Sequence, residues 1–304
     1  MKRFLLAAIV FCFSAAAHAQ SFPNKPVKLL VGFAAGGPTD VIARILAQDM
    51  TGTLGQTVLV ENKAGATSMI ATQEVKRAPA DGYTLYMTTL THSVNAVLHA
   101  DKKPYDPIAD FTPISLVCHL PLVMVTKGDS SFNNAADVVK AAKEKPGEIS
   151  YGSSGNGGSA HLAGALVEAL TEVMAGRVTF MFYPMVGIAD HVQAKRLKVL
   201  GVSTEKRHPD YPGVPTLSES GFPGFEQYTQ GLGIVGPANL PAPVVSRLNE
   251  AIRSSLAKAD TKEKLSKLGA ITEGGSTPAE FRTFLGKDLE RWERVIKAAG
   301  VKAE

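Results

Sequence analysis

The sequence predicts a two-lobed α/β fold with a cleft between the lobes and two strand-like crossings, and three observations carry that prediction. From Val27 onward, short apolar stretches alternate with segments of helical period. Repeated strand–helix–strand order of this kind requires parallel strands joined by right-handed crossovers. The pattern is interrupted by a long extended stretch, Phe111–Lys127, and then restarts; a second extended stretch, Gln230–Val235, precedes the closing helices. Two extended stretches flanking a central α/β block imply two chain crossings, which can act as a hinge beside the cleft.

Val27–Phe33 is an apolar strand. Pro38–Met50 is helical, because Val41, Ile42, Ile45 and Leu46 share one face and proline suits the first helical turn. Thr57–Glu61 is the next strand, Ser68–Arg77 a helix, Ala80-Asp81-Gly82 a turn and Tyr83–Thr88 a third strand. Pro113 and Pro121 interrupt the first extended stretch. The second block reads Asn134–Lys145 helix, Glu148–Ser153 strand and Ser159–Ala175 helix. Arg177–Tyr183, Ile188–Lys195 and Leu197–Ser203 follow as strand, helix, strand. After Gln230–Val235 come helices at Pro243–Lys258, Lys262–Leu268 and Pro278–Ala299. Residues 20–118 with 236–304 thus form the first expected lobe, and residues 119–235 the second.

The amino terminus reads as an export signal. Lys2 and Arg3 precede an almost wholly apolar run from Phe4 to Ala17, and Ala17-His18-Ala19 supplies small residues at the two positions a signal peptidase reads. Residues 1–19 are therefore expected to be a cleaved signal peptide, with a periplasmic mature chain. The run is short of the about 20 residues that span a bilayer, and no lipobox cysteine follows it. Cleavage removes Cys12 and leaves Cys118 alone, so stability rests on core burial rather than a disulfide. It also removes two charges from a formal net charge of +4. A near-neutral chain without a dense Lys/Arg run argues against a nucleic-acid partner.

Three loops at strand carboxyl ends carry the functional expectation: Gly32-Phe33-Ala34-Ala35-Gly36-Gly37-Pro38-Thr39-Asp40, Thr88-Thr89-Leu90-Thr91-His92-Ser93, and Tyr151-Gly152-Ser153-Ser154-Gly155-Asn156-Gly157-Gly158-Ser159. Each runs into a helix. Ligands of parallel α/β sheets sit at such positions, where helix amino termini offer unpaired N–H groups and a partial positive charge. Glycine admits the ligand close to the backbone, and Ser/Thr hydroxyls add short donors. The loops contain no Lys or Arg, so an anion would be held by amides, hydroxyls and water. Micromolar binding needs about 8 kcal/mol, and a hydrogen bond to a charged group contributes roughly 1.5–3 kcal/mol, so a few such bonds suffice. The bland readings are a turn and cap for the first two loops and a dipole-complementing role for Asp40. The third loop, with four glycines and three serines in nine residues, exceeds what capping requires.

Jointly these residues resemble the Bug family, the extracytoplasmic receptors of tripartite tricarboxylate transporters. The matching features are the Phe33–Asp40 loop, Pro79-Ala80-Asp81-Gly82-Tyr83-Thr84-Leu85, the Tyr151–Asn156 loop, Gly213-Val214-Pro215-Thr216-Leu217-Ser218-Glu219-Ser220-Gly221, and Trp292 with Val295–Gly300. The likeness covers essentially the whole mature chain. It implies an α/β fold of periplasmic binding protein type (type 2-like), a small carboxylate ligand and transporter membrane subunits as partners; a monomer and no cofactor are expected besides. It puts the ligand contacts on Phe33, Ala35, Gly36, Gly37, Thr39 and Asp40; on Thr89, Thr91, His92 and Asn95; and on Ser153, Ser154, Gly155, Asn156 and Ser159. One departure stands out. Leu170 runs straight into Thr171-Glu172-Val173-Met174-Ala175-Gly176-Arg177, where such proteins carry a further strand, a loop and part of a helix. The second lobe is expected to lose a central strand and one wall of the cleft.

Two alternatives stay open: a ligand-free sensory or scaffold protein of the same fold, and a hydrolase. No G-x-S-x-G elbow supports the latter, the glycine loop does not match G-x-G-x-x-G, and the scattered histidines form no H-x-x-x-H pair that would suggest a metal site. Cys118 reads as a small buried hydrophobe and Trp292 as an anchor of the last helix. Tyr183-Pro184-Met185 reads equally as cleft wall or as packing.

Overall fold

The computed structural model describes residues 22–152, 173–225 and 229–299. The first strands, β1 (Val27–Val31), β2 (Val58–Asn62) and β3 (Thr84–Thr88), are joined by helices α1 (Pro38–Leu54) and α2 (Met69–Lys76). Helix α3 (Thr91–Leu98) leads to β4 (Phe111–Leu120), which continues past Pro121 into β5 (Leu122–Lys127). Next come α4 (Ala135–Glu144), β6 (Tyr151–Gly152), β7 (Phe180–Pro184), α5 (Ala189–Gln193) and β8 (Leu197–Val202). The chain returns in β9 (Gln230–Pro237) and ends in α6 (Ala242–Ala257), α7 (Ala259–Lys267) and α8 (Pro278–Ala299). Among the described residues two sheets result, of order β2-β1-β3-β9-β4 and β6-β7-β5-β8. In each, the crossing strand that enters from the other sheet, β9 or β5, runs antiparallel to its neighbours.

Strand β1 shows why the first sheet is central. Val27, Leu29 and Val31 face Ile42, Leu46 and Met50 of α1, while Leu30 faces the opposite side with Tyr86, Phe111 and Phe281. A parallel sheet covered on both faces needs such a nearly continuous apolar run. Helix α1 begins at Pro38 and stops at Gly55, whose φ of 71° lets its N–H reach the Thr51 carbonyl. Helix α4 is capped by Asn134, whose side chain accepts from the Asp137 N–H at 3.0 Å. In the second sheet, Met181 and Tyr183 point to one face with Val123 and Val199, and Phe180 and Phe182 to the other with Met124 and Leu217.

The first sheet takes in Gln230–Val235 as part of β9, and the second sheet begins after Pro121. Strand β9 lies between β3 and β4, with Ile234 opposite Met87 and Gly233 opposite Leu116. Its glycines explain the placement, because rings from α8 lie directly on the strand. A Cβ on Gly233 would stand 2.1 Å from Phe281 Cζ, and one on Gly231 2.5 Å from Phe284 Cζ. The helix expected over Ser159–Ala175 lies outside the described residues except at its end, where Val173 and Met174 are helical.

The crossing is pinned by hydrogen bonds. Met185 N–H donates to the Pro121 carbonyl at 3.0 Å, and Leu122 and Ser203 exchange two bonds of 2.9 Å each. Met185 is packing rather than cleft wall: it lies against Gly269, where a Cβ would meet its Cγ at 2.9 Å. Val186, one residue on, is buried in the same apolar cluster as Cys118, Leu120 and Ala270 of the first lobe. Burial pushes the Cys118 thiol up to about 12, so it is no nucleophile at neutral pH.

Gly233→Ala should overpack the contact with Phe281 and lower stability by roughly 1–3 kcal/mol. Denaturant melts of the two chains at equal m-value check this.

Candidate functional site

The carboxyl ends of β1, β2 and β3 present three loops along one side of the first sheet. The first, residues 32–37, is held by a carboxylate. Asp40, in the first turn of α1, is 2% exposed. Its Oδ2 accepts from Gly36 N–H and from Arg44 Nε, each at 2.9 Å, and its Oδ1 accepts from Asn62 Nδ2 at 2.9 Å. Asn62 Nδ2 also donates to the Phe33 carbonyl at 3.0 Å, and Arg44 Nη2 donates to Asn62 Oδ1 at 3.0 Å. Burial alone would raise the Asp40 pKa; the bonds from Arg44, Gly36 and Asn62 outweigh it and hold the carboxyl below its ordinary value. The clamp leaves Ala34, Ala35 and Gly36 exposed at the amino terminus of α1, Gly36 with a φ of 83°.

The second loop, residues 63–68, lies outside the sequence expectation. Gly65 is followed by three non-glycine residues of positive φ: Ala66 at 44°, Thr67 at 53° and Ser68 at 70°. A left-handed non-glycine residue costs about 1–2 kcal/mol, so the surroundings must over-determine this turn. They do so from behind. Asn95 Nδ2 donates to the Thr67 carbonyl at 2.7 Å, Ser68 Oγ lies 2.7 Å from Thr91 Oγ1, and Gly32 leaves no room for a side chain beside Ser68. The available sequence signal is Gly65 among small residues directly after a strand.

The third loop carries four of the expected positions, Thr89, Thr91, His92 and Asn95. Thr89 and Thr91 join their hydroxyls at 2.8 Å at the start of α3. His92 is wholly buried, its ring stacked on Tyr105 at 5.4 Å and edge-on to Phe111 at 4.9 Å. Nε2 lies 2.9 Å from the Pro107 carbonyl, which makes it the protonated, donating nitrogen of a neutral ring. Burial lowers its pKa to about 4. His92 and Asn95 are fully buried, and both oxygens of the Asp40 carboxylate are engaged by Gly36, Arg44 and Asn62. Of the remaining first-lobe positions, Ala35 and Gly36 are exposed, Phe33 and Gly37 half-buried, and Thr39, Thr89 and Thr91 buried at the loop bases. Ser153, Ser154, Gly155, Asn156 and Ser159 lie outside the described residues. Among the described residues no group of three His, Cys, Asp or Glu side chains is placed to hold a metal ion. A cavity lined by Cys118, His119, Arg253, Glu273 and Glu280 lies beside the edge strand β4, apart from these loops.

Two lobes joined by two crossings, with helix-starting loops at the strand ends, define the periplasmic binding protein class. Solved structures agree. The periplasmic binding protein BugD superposes with a TM-score of 0.81 at 33% identity over 93% of this chain and all of that one. MatC from Rhodopseudomonas palustris with bound malate gives 0.78 at 28% over 90% of this chain and all of that one, and an R. palustris protein with adipate 0.83 at 28% over 93% and all of that one. Residues 42–301 match the tripartite tricarboxylate transporter family receptor, TctC, and the chain belongs to that family. Curated relatives include a UPF0065 protein from the tcbD-tcbE intergenic region of Pseudomonas sp. strain P51, 36% identical over 91% of this chain and 87% of its own length. A UPF0065 protein of Bordetella pertussis is 28% identical over 326 positions, covering all of this chain and 98% of its own.

Because the folded-state pKa of Asp40 is depressed, its contribution is complete above about pH 4, the unfolded value, and is lost as pH falls through the lower folded value. Asp40→Asn should therefore be about 1–3 kcal/mol less stable at pH 7, with the gap closing below pH 4; melts across pH 3–7 test it. Ala66→Gly relieves a left-handed alanine but adds unfolded-state entropy, so a net gain of about 0.5–1 kcal/mol is expected in the same melts.

Proposed function

We propose that this TctC-family receptor captures a small carboxylate in the periplasm and presents it to the membrane subunits of a tripartite tricarboxylate transporter. The observation that carries the reading is the first loop. The clamp engages the Asp40 carboxylate from both oxygens and presents the α1 amino terminus, with exposed Ala35 and Gly36, at the strand ends. First-turn N–H groups lack intrahelical partners and bear partial positive charge, which suits a carboxylate without any lysine or arginine in contact. Preformed donors also reduce the ordering cost of binding. Malate and adipate in the two R. palustris structures support the same class of ligand. The fold and family are those of binding receptors.

A thermal-shift screen of the purified chain against mono-, di- and tricarboxylates tests the proposal. A ligand at a hundred times its dissociation constant adds about 2.7 kcal/mol, a readily measured rise in Tm. A cooperative melt indifferent to every acid would overturn the carboxylate reading.

A further inference from the structure

The cavity beside β4 has a volume of about 470 Å³, within the roughly 300–1,000 Å³ of small-molecule sites. Its outer wall is the segment 271–277, which is tied to β4 at both ends. His119 and Ile271 exchange backbone bonds of 2.8 and 2.9 Å. At the other end Ser276 N–H donates to the Leu116 carbonyl at 3.2 Å, and Leu116 N–H donates to Ser276 Oγ at 2.9 Å. Four residues, 272–275, lie between these ties on the segment, against two, 117 and 118, on the strand. The segment must therefore bow outward. It does so through Gly274 and Gly275, whose φ values of 87° and 81° glycine adopts without strain. Gly275 also seats Arg253 of α6, because a Cβ there would stand 3.2 Å from Arg253 Cγ. The wall is thus built by the fold and does not wait for a ligand to form it.

Three charged side chains line this cavity: Arg253, Glu273 and Glu280. Glu280 is already committed. Its Oε2 accepts from Thr277 N–H and Thr277 Oγ1, each at 2.8 Å, and so caps α8. Arg253 and Glu273 have no such engagement; among the described residues neither side chain has a hydrogen-bond or ion-pair partner. The remainder of the lining includes Leu116, Val117 and Cys118 of β4, with Ile271, 41% exposed, beside them. Two uncommitted charges of opposite sign on a partly apolar cavity select by sign. A simple cation meets Arg253 unfavourably, and a simple anion meets Glu273 unfavourably. A molecule carrying both charges on an apolar body satisfies both.

We propose that this cavity is a second ligand site, apart from the cleft loops, for an amino acid zwitterion with an apolar body. Arg253 receives the carboxylate, Glu273 the ammonium, and the β4 edge with Ile271 the apolar part. Both charged partners are exposed, so binding is in the millimolar range. The site stands independently of whether the cleft takes a carboxylate.

Titration calorimetry on the purified chain tests it with leucine, 6-aminohexanoate, hexanoate and hexylamine. At least one of the two zwitterions should bind, and Arg253→Gln and Glu273→Gln should each weaken it about tenfold while keeping the parent Tm. Hexylamine should bind at least about tenfold more weakly than that zwitterion, since it lacks the charge that Arg253 receives. Hexanoate binding, if any, should survive Arg253→Gln unchanged, because a monocarboxylate held by the cleft loops does not touch this cavity. No binding by either zwitterion, hexylamine binding as tightly as the zwitterions, or zwitterion binding indifferent to both variants would overturn the proposal.

Discussion

The structure depends on the pairing of β9 between β3 and β4. This strand is buried along its whole length and arrives from the second sheet. By pairing antiparallel on both sides it closes the first sheet around two distant parts of the chain. It also brings both crossings to one side, which decides where the cleft hinges and where it opens. The glycines at 231 and 233 make the arrangement workable, because they let the rings of Phe281 and Phe284 rest on the strand and hold α8 against it. A side chain at either position would push the last helix away from the sheet that positions the binding loops.

The binding side shows a division of labour between groups that face outward and groups that hold them there. Asp40, Asn62 and Arg44 fix the first loop, and Asn95 with Thr91 fixes the left-handed turn at residues 66–68. The three loops are also tied to one another, since Asn62 ends β2 yet bonds the loop after β1, and α3 bonds the loop after β2. Preorganisation of this kind lets neutral backbone groups hold a charge, because reorientation costs are met during folding rather than during binding.

The strand–helix alternation and the two crossings are legible in the sequence because both are local patterns of apolar period and proline. Loop identity is legible at residues 33–40, where glycines and the helix start coincide. Roles inside the loops are not. Nothing local to Asp40 or His92 reveals that Asn62 and Arg44 will enclose one carboxylate or that Tyr105 and Phe111 will enclose the imidazole. The turn at residues 66–68 is hidden for the opposite reason: Ala, Thr and Ser are not residues that advertise a positive φ, and only contacts from Asn95 and Thr91 impose it. The sheet that Gln230–Val235 joins is not legible, because an apolar run with glycines does not announce its partner strands.

The short loop after β7 carries a mechanical consequence. Val186 belongs to the second half of the molecule by chain position, yet its side chain is one of the apolar contacts inside the first, while Met185 is seated on Gly269 and tied to Pro121. A plug of this kind acts as a fulcrum. Any relative motion of the lobes must turn about it, because sliding would withdraw an apolar side chain into water. Separating the lobes would leave a hole in one and a bare hydrophobic peg on the other.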